Sequence, residues 1–243
     1  YDSAAVVRDA AVVKNRSRGR YPDGAGEWLR TTVPTAGDTN VVTLCSDIVI
    51  NGIMYHHQPS YDPFVESAEG WIELYNRGTG SVDLAGWAFG DAIGFEFPSN
   101  TLLNAGAYLV VADDSAAFQS AFPGVTNVIG DYSGNLAFGG ERIILRDAFG
   151  NPADVVRYYD GHPWPDYADG GGSSLELRDP RADNDNPAAW ADSDETGKLT
   201  WQTVTYRGVA TDDGNGIDMW HEFCLCLLAP GAVLLDDFSV VED

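Results

Sequence analysis

Residues 70–90 read GWIELYNRGTGSVDLAGWAFG, and the class of the fold turns on them. In Trp71–Asn76 the period is two, which places Ile72, Leu74 and Asn76 on one face of a strand and Trp71, Glu73 and Tyr75 on the other. The first set is the face expected to meet a core. NRGTGS supplies turn residues, and VDLAGWAFG reads as a second strand signal, so the segment predicts two antiparallel strands with Trp87 inward. Glu73 stands between two aromatics on the outer face. That position suits a structural carboxylate that accepts hydrogen bonds, because general acid/base work would need a second carboxylate within several ångströms.

The same grammar extends in both directions. Apolar residues alternate or run in short blocks at DIVINGIMY, AYLVVAD, RIILRD, DVVRYY and SSLELRD, and later at TWQTVTYRG, WHEFCLCLLAPG and AVLLDDFSVVE. Glycine- and Asx-rich turns (FGNP, DGGG, DDGNG) separate them, a spacing that predicts a sandwich or a barrel. Helical periodicity is clearest in DDSAAFQSAF. There Asp114 or Ser115 can cap, Phe118 and Phe122 fall at i, i+4, and Pro123–Gly124 stops the turn.

The chain has 243 residues, 44% of them hydrophobic, with 27 glycines and 12 prolines, which suits many short strands and excludes a disordered chain. Its net charge of −23 would repel a nucleic-acid backbone, so nucleic acid is not an expected partner. Only Lys14 and Lys198 are lysines, a bias that fits either a protein facing salty water or an arginine-favouring genome. No run of about 18 apolar residues predicts a membrane-spanning helix. Cys45, Cys224 and Cys226 cannot all pair with one another; small buried thiols are the first reading, with a bridge from Cys45 to Cys224 or Cys226 as the alternative. RYPDGAGEW at 20–28 echoes WPDYADGGGSS at 164–174, which suggests two copies of one closing element.

From Asp47 to about Ser193 the order of segments resembles the lamin-tail domain family in its bacterial extracellular branch. The pieces are DIVINGIMYHHQP, the 70–90 stretch, FEFP, LNAGAYLVVADD with its helix, GERIILRDAFGNPADVVRY, and WPDYADGGGSSLELRDPRADNDNPAAW. The resemblance implies an all-β, immunoglobulin-like β-sandwich with one short helix, plus extra C-terminal β-strands. It divides the chain into 1–40, resembling the end of a preceding lamin-tail domain; 41–195, the domain itself; and 196–243, a partial jelly-roll-like segment of carbohydrate-binding type. Family members usually carry a Glu in the first strand where this chain has Gly52, so a pairing of that Glu with Glu73 is missing here.

Several side chains invite a chemical reading. Asp179, Asp183 and Asp185, with Asn184 and Asn186, offer hard oxygen ligands suited to calcium, although Pro187 breaks the EF-hand order and turn capping is the competing reading. Asp212, Asp213, Asn215 and Asp218 read as a wide hairpin turn, and Asp236 and Asp237 as loop-capping carboxylates. His56 and His57 point to opposite faces of a strand, so they cannot readily chelate one ion, and His162 stands apart in the sequence. No GxSxG elbow occurs, and no catalytic or organic-cofactor-binding residue is assigned. Trp87, Trp164, Trp190 and Trp201 could stack against sugars if exposed; Trp87 reads as core, Trp164, between two prolines, is the one expected to be partly exposed, and Trp164 and Trp201 are the glycan-stacking candidates, with packing the preferred reading.

The expected function is that of a non-catalytic module in a larger secreted or cell-surface bacterial protein, serving adhesion, anchoring or protein interaction. The alternative is a carbohydrate-binding accessory module that holds polysaccharide near a catalytic domain elsewhere in the parent. Calcium is the one cofactor the residues suggest, and the partner is a protein or a cell-surface polysaccharide.

Overall fold

The computed structural model describes residues 17–24, 26–57, 60–61, 64–65, 69–195, 203–205, 207 and 239. The strands are β1 (Arg18–Tyr21), β2 (Glu27–Arg30), β3 (Ile48–Met54), β4 (Ser60–Tyr61), β5 (Phe64–Val65), β6 (Trp71–Asn76), β7 (Val82–Asp83) and β8 (Ala88–Asp91). They continue with β9 (Phe95–Glu96), β10 (Leu102–Leu103), β11 (Tyr108–Ala112), β12 (Val128–Gly130), β13 (Arg142–Arg146), β14 (Pro152–Arg157), β15 (Leu175–Leu177) and β16 (Trp190–Asp192). One helix, α1 (Ser115–Ala121), follows β11.

Two sheets carry the fold. The larger has the order β12-β11-β6-β3-β15-β16 and the smaller β14-β13-β8-β9. All neighbours are antiparallel except β11 and β12. The alternation read from WIELYN holds: Ile72, Leu74 and Asn76 are buried while Trp71, Glu73 and Tyr75 stay half-exposed. Ile53, Ile72, Leu74, Val111 and Leu175 of the large sheet join Phe89, Ile143, Leu145 and Val156 of the small one in a single buried cluster, with Trp87 and Phe97. Each such aliphatic side chain contributes roughly 1.5–3 kcal/mol by leaving water, which makes this layer the main source of stability.

The 70–90 stretch departs from its reading in one respect. Its two strand signals do not pair with each other. β6 pairs with β3 and β11, whereas β7 pairs with β10, and β8 with β13 and β9, so the chain crosses here from one sheet to the other. Asn76 starts the crossing: its buried amide donates to the carbonyls of Gly80 (2.9 Å) and Leu103 (2.8 Å), and its Oδ1 accepts from the Gly78 amide. Asp83 then caps the Ala85 amide, and Gly86 takes φ +72, turning Trp87 down between the sheets.

The expected helix forms with Asp114 as its N-cap, Oδ1 accepting from the amides of Ala116 and Ala117. Phe118 and Phe122 meet at 4.9 Å, and Phe118 sets its edge against Trp71. At the N-terminal side the β1–β2 hairpin docks on the turn between β13 and β14. The Asn151 side chain accepts from Arg30 N (2.7 Å) and donates to Arg30 O (2.9 Å), in the manner of a neighbouring strand. Arg30 Nη1 also donates to Phe149 O, and with φ +80 and the Arg30 guanidinium against its Cα only glycine fits at Gly150.

The echo between 20–28 and 164–174 does not extend to structure. The first forms the end of β1, a turn and β2, while the second holds a 3-10 turn, Asp166–Ala168, and an open loop. The strands expected beyond residue 196, Cys224, Cys226 and the jelly-roll-like segment lie outside the described residues, apart from isolated positions. No helix among the described residues is long and apolar enough to cross a membrane.

Candidate functional site

Two places combine polar groups with a built surface: the outer face of the large sheet around Glu73, and a cleft beside Trp164. At the first, β3 carries a bulge between Ile50 and Gly52, and Asn51 is the extra residue. The Ile50 amide, released from the ladder there, donates to Asp154 Oδ2 at 2.7 Å, and Asn184 Nδ2 donates to the same oxygen at 2.8 Å. Asp154 therefore ties β14 of the small sheet to the bulge and to the loop before β16. Burial pushes its carboxyl above the usual range against the pull of these donors.

The bulge also aims Asn51 at Glu73. Asn51 Nδ2 donates to Glu73 Oε1 at 2.9 Å, while its own Oδ1 is buried and accepts no hydrogen bond. Asn51 is only 7% exposed. Burial raises the Glu73 carboxyl above the usual carboxylate range, and the Asn51 amide pulls it partly back. Gly52 sits directly between Glu73 of β6 and Glu176 of β15 in the ladder. A Cβ at Gly52 would lie 3.2 Å from Trp71 Cζ3, 3.3 Å from Glu73 Cβ and 3.5 Å from Glu176 Oε2. The missing side chain lets the Trp71 ring, Glu73 and Glu176 close over the strand, where even a methyl group would crowd the indole and Glu73.

This corrects the reading that Glu73 lacks a carboxylate neighbour. Glu176 Oε2 comes within 3.5 Å of the Cβ position of Gly52, and Ser174 Oγ lies 2.6 Å from its Oε1. SSLELRD does show Glu176 outward between inward leucines, but no local pattern places β15 beside β3. Tyr75 and Tyr108 extend the face, their rings 4.6 Å apart.

The second place is a cleft of about 470 Å³ lined by Arg157, Tyr159, Asp160, His162, Asp185 and Pro187, with Trp164 among its lining residues. Trp164 packs, the reading preferred over an exposed stacking platform. It is 4% exposed and packs 6.0 Å from the Trp190 ring, whose Nε1 donates to Asn184 O. Tyr159, 45% exposed, presents the aromatic surface instead. Trp201, the other stacking candidate, lies outside the described residues, as do Asp212, Asp213, Asn215, Asp218, Asp236 and Asp237.

The acidic loop is held by its own turns. Asp179 Oδ1 accepts from the Arg181 amide (2.9 Å), Asp183 Oδ1 from the Asp185 amide (3.2 Å), and Asn186 Oδ1 from the Ala188 amide. Asp185 lines the cleft. Among the described residues no three His, Cys, Asp or Glu side chains converge as a metal-binding group, so the calcium reading of Asp179, Asp183 and Asp185 gains no geometric support. His56 pairs through Nδ1 with Asp169 and stacks on Phe138 at 4.1 Å, a packing role.

Residues 42–160 match the family model of the lamin tail domain. The match supports that family for this segment. An immunoglobulin-like β-sandwich is the fold the lamin-tail family carries, and the two packed sheets agree with it. The lamin-tail match ends before Glu176, yet β15 and β16 complete the large sheet, so the sandwich reaches to Asp192. No curated protein matches the chain closely enough to count as a relative.

Proposed function

We propose that the chain is a non-catalytic lamin-tail module of a larger secreted or cell-surface bacterial protein, and that it anchors its parent by binding a polysaccharide or a surface protein. The observation that carries this reading is the cleft beside Trp164. Its volume falls within the usual range for small-ligand sites, about 300–1,000 Å³. An exposed phenol with guanidinium, imidazole and two carboxylates around one opening is the mixture that grips a sugar: an apolar ring face to stack on, and donors and acceptors for hydroxyls. That composition favours polysaccharide over protein as the ligand of this cleft. The lamin-tail family supports the non-enzymatic part of the reading.

A panel of neutral and acidic glycans tested against the full chain, beside Tyr159→Ala and Asp185→Ala, checks the proposal. Saturable binding to a subset of glycans, weakened tenfold or more by either substitution, is the expected result. Absence of binding across the panel, or binding indifferent to both substitutions, would overturn the polysaccharide reading.

A further inference from the structure

The two lips of the cleft beside Trp164 are fixed by one buried contact. Trp164 closes the first lip, its amide donating to the Gly161 carbonyl at 3.1 Å, and its ring packs against that of Trp190. Trp190 Nε1 donates to the carbonyl of Asn184, the residue before Asp185 on the second lip. Asn184 is itself buried, with its side chain held by Asp154. The Asp185 amide donates to Asp183 Oδ1, and the next residue, Asn186, caps Ala188. The opening is therefore formed before a ligand arrives, which spares the cost of ordering it on binding.

The charges around that opening are uncommitted. Among the described residues no ion pair joins Arg157 to Asp160 or Asp185, although all three line the cleft. Arg142, directly across the ladder from Arg157, takes Asp91 as its partner through both Nε and Nη2. No hydrogen bond among the described residues occupies the Asp160 or Asp185 carboxylate. This mixture selects on the charge of a ligand. A uronate, sulfate or phosphate group would gain Arg157 but would meet two carboxylates and a molecule of net charge −23. An ammonium group would meet the guanidinium, could use none of its donors, and would shed a tightly held hydration shell to enter. A hydroxyl has one donor and two acceptor lone pairs, so a guanidinium and a carboxylate can both serve it, and the His162 imidazole suits the same group. Hydrogen bonds to the charged side chains are the stronger kind, and the ligand brings no charge that must be desolvated.

Resting on the polysaccharide reading of the cleft, we propose that its ligand is a neutral, hydroxyl-rich sugar, and that the charges lining the cleft turn away acidic and amino sugars. Asp160 and Asp185 accept from its hydroxyls, Arg157 donates to them, and the exposed Tyr159 ring stacks on a C–H face of the ring.

The test is calorimetric titration of the full chain with sugars that differ only in charge: gluco-, manno- and galacto-oligosaccharides of one length, the matching oligouronates, and glucosamine oligosaccharides. The expected result is saturable binding of at least one neutral set, tenfold or more tighter than that of its uronate and of the glucosamine set. That binding should change little between low and high salt, since the ligand forms no ion pair. Asp185→Asn keeps the shape of its lip and removes one charge; it should weaken the neutral sugar tenfold or more and narrow the margin over the uronate. Arg157→Gln, on the opposite side, should weaken the neutral sugar and narrow the margin over glucosamine, so a folding defect in one variant leaves the other decisive. Uronate or glucosamine binding as tight as that of the neutral counterpart would overturn the charge selection; if Tyr159→Ala weakens that binding, the polysaccharide reading stands without it. Neutral-sugar binding indifferent to both Asp185→Asn and Arg157→Gln would also overturn the proposal. So would absence of binding to every neutral set, and Tyr159-dependent binding elsewhere in the broader glycan panel would then show that the polysaccharide reading alone survives.

Discussion

Replacing Asp154 with alanine tests the account of how the two sheets are joined. In the native protein Asp154 Oδ2 accepts from the Ile50 amide at 2.7 Å and from Asn184 Nδ2 at 2.8 Å, and both donors belong to buried residues. Truncation leaves two buried donors without an acceptor, at about 1–3 kcal/mol each. Against this, the variant no longer buries a carboxylate that burial itself penalises. The net expectation is a loss of about 2–4 kcal/mol. At about 2–4 °C per kcal/mol for a domain of this size, the melting temperature falls by roughly 4–16 °C. Urea denaturation followed by circular dichroism, run on wild type, Asp154→Ala, Asn184→Ala and the double variant, measures both the loss and the coupling. The cycle is expected to give about 1–2 kcal/mol between Asp154 and Asn184. A single-variant loss under 0.5 kcal/mol, or strict additivity in the cycle, would refute the view that this carboxylate ties β14 to the bulge.

Three further outcomes follow from the same structure. Glu73, Asp147, Asp154 and Asp192 all titrate above the usual carboxylate range because of burial, so the folded state binds protons more tightly than the unfolded one. Each costs stability above its folded value and returns it as pH falls from there toward the ordinary carboxylate value of about 4, so these groups act to raise the melting temperature as pH is lowered toward about 4.5; a melting temperature that drops steadily over this approach at constant ionic strength would contradict the assignment. Asn76→Ala removes three hydrogen bonds and leaves the Leu103 carbonyl without its buried donor, so a loss of about 3–4 kcal/mol in urea unfolding is expected, and less than 1 kcal/mol would show that the sheet crossing does not depend on this amide. Asn151→Ala cuts both bonds to the Arg30 backbone, so limited proteolysis within 31–40 should accelerate about tenfold; an unchanged rate would mean the β1–β2 hairpin is held by other contacts.

The sequence by itself determined what depends on neighbours along the chain. A period of two in WIELYN settled which residues face the core, because alternate side chains on a strand must point to opposite sides. Asp114 with the Phe118–Phe122 pair settled the helix and its cap, since both interactions span four residues or fewer. The resemblance to the lamin-tail family was legible in the order of such pieces, and the family model matches residues 42–160. Tertiary structure decided the rest. VDLAGWAFG looks like the partner of WIELYN, yet Asn76 finds Leu103 and the chain passes to the other sheet, a choice made by contacts distant in sequence. Trp164 between prolines invites partial exposure, but Trp190, at the start of β16, packs against it once that strand joins the large sheet. Glu73 looked solitary beside Gly52 because Glu176 is distant in sequence and comes to the other side of Gly52 only when β15 pairs with β3. Strand pairing has no local signature, since the same alternation fits any neighbour with an apolar face, and so the two glutamates flank Gly52 only when the sheet is assembled.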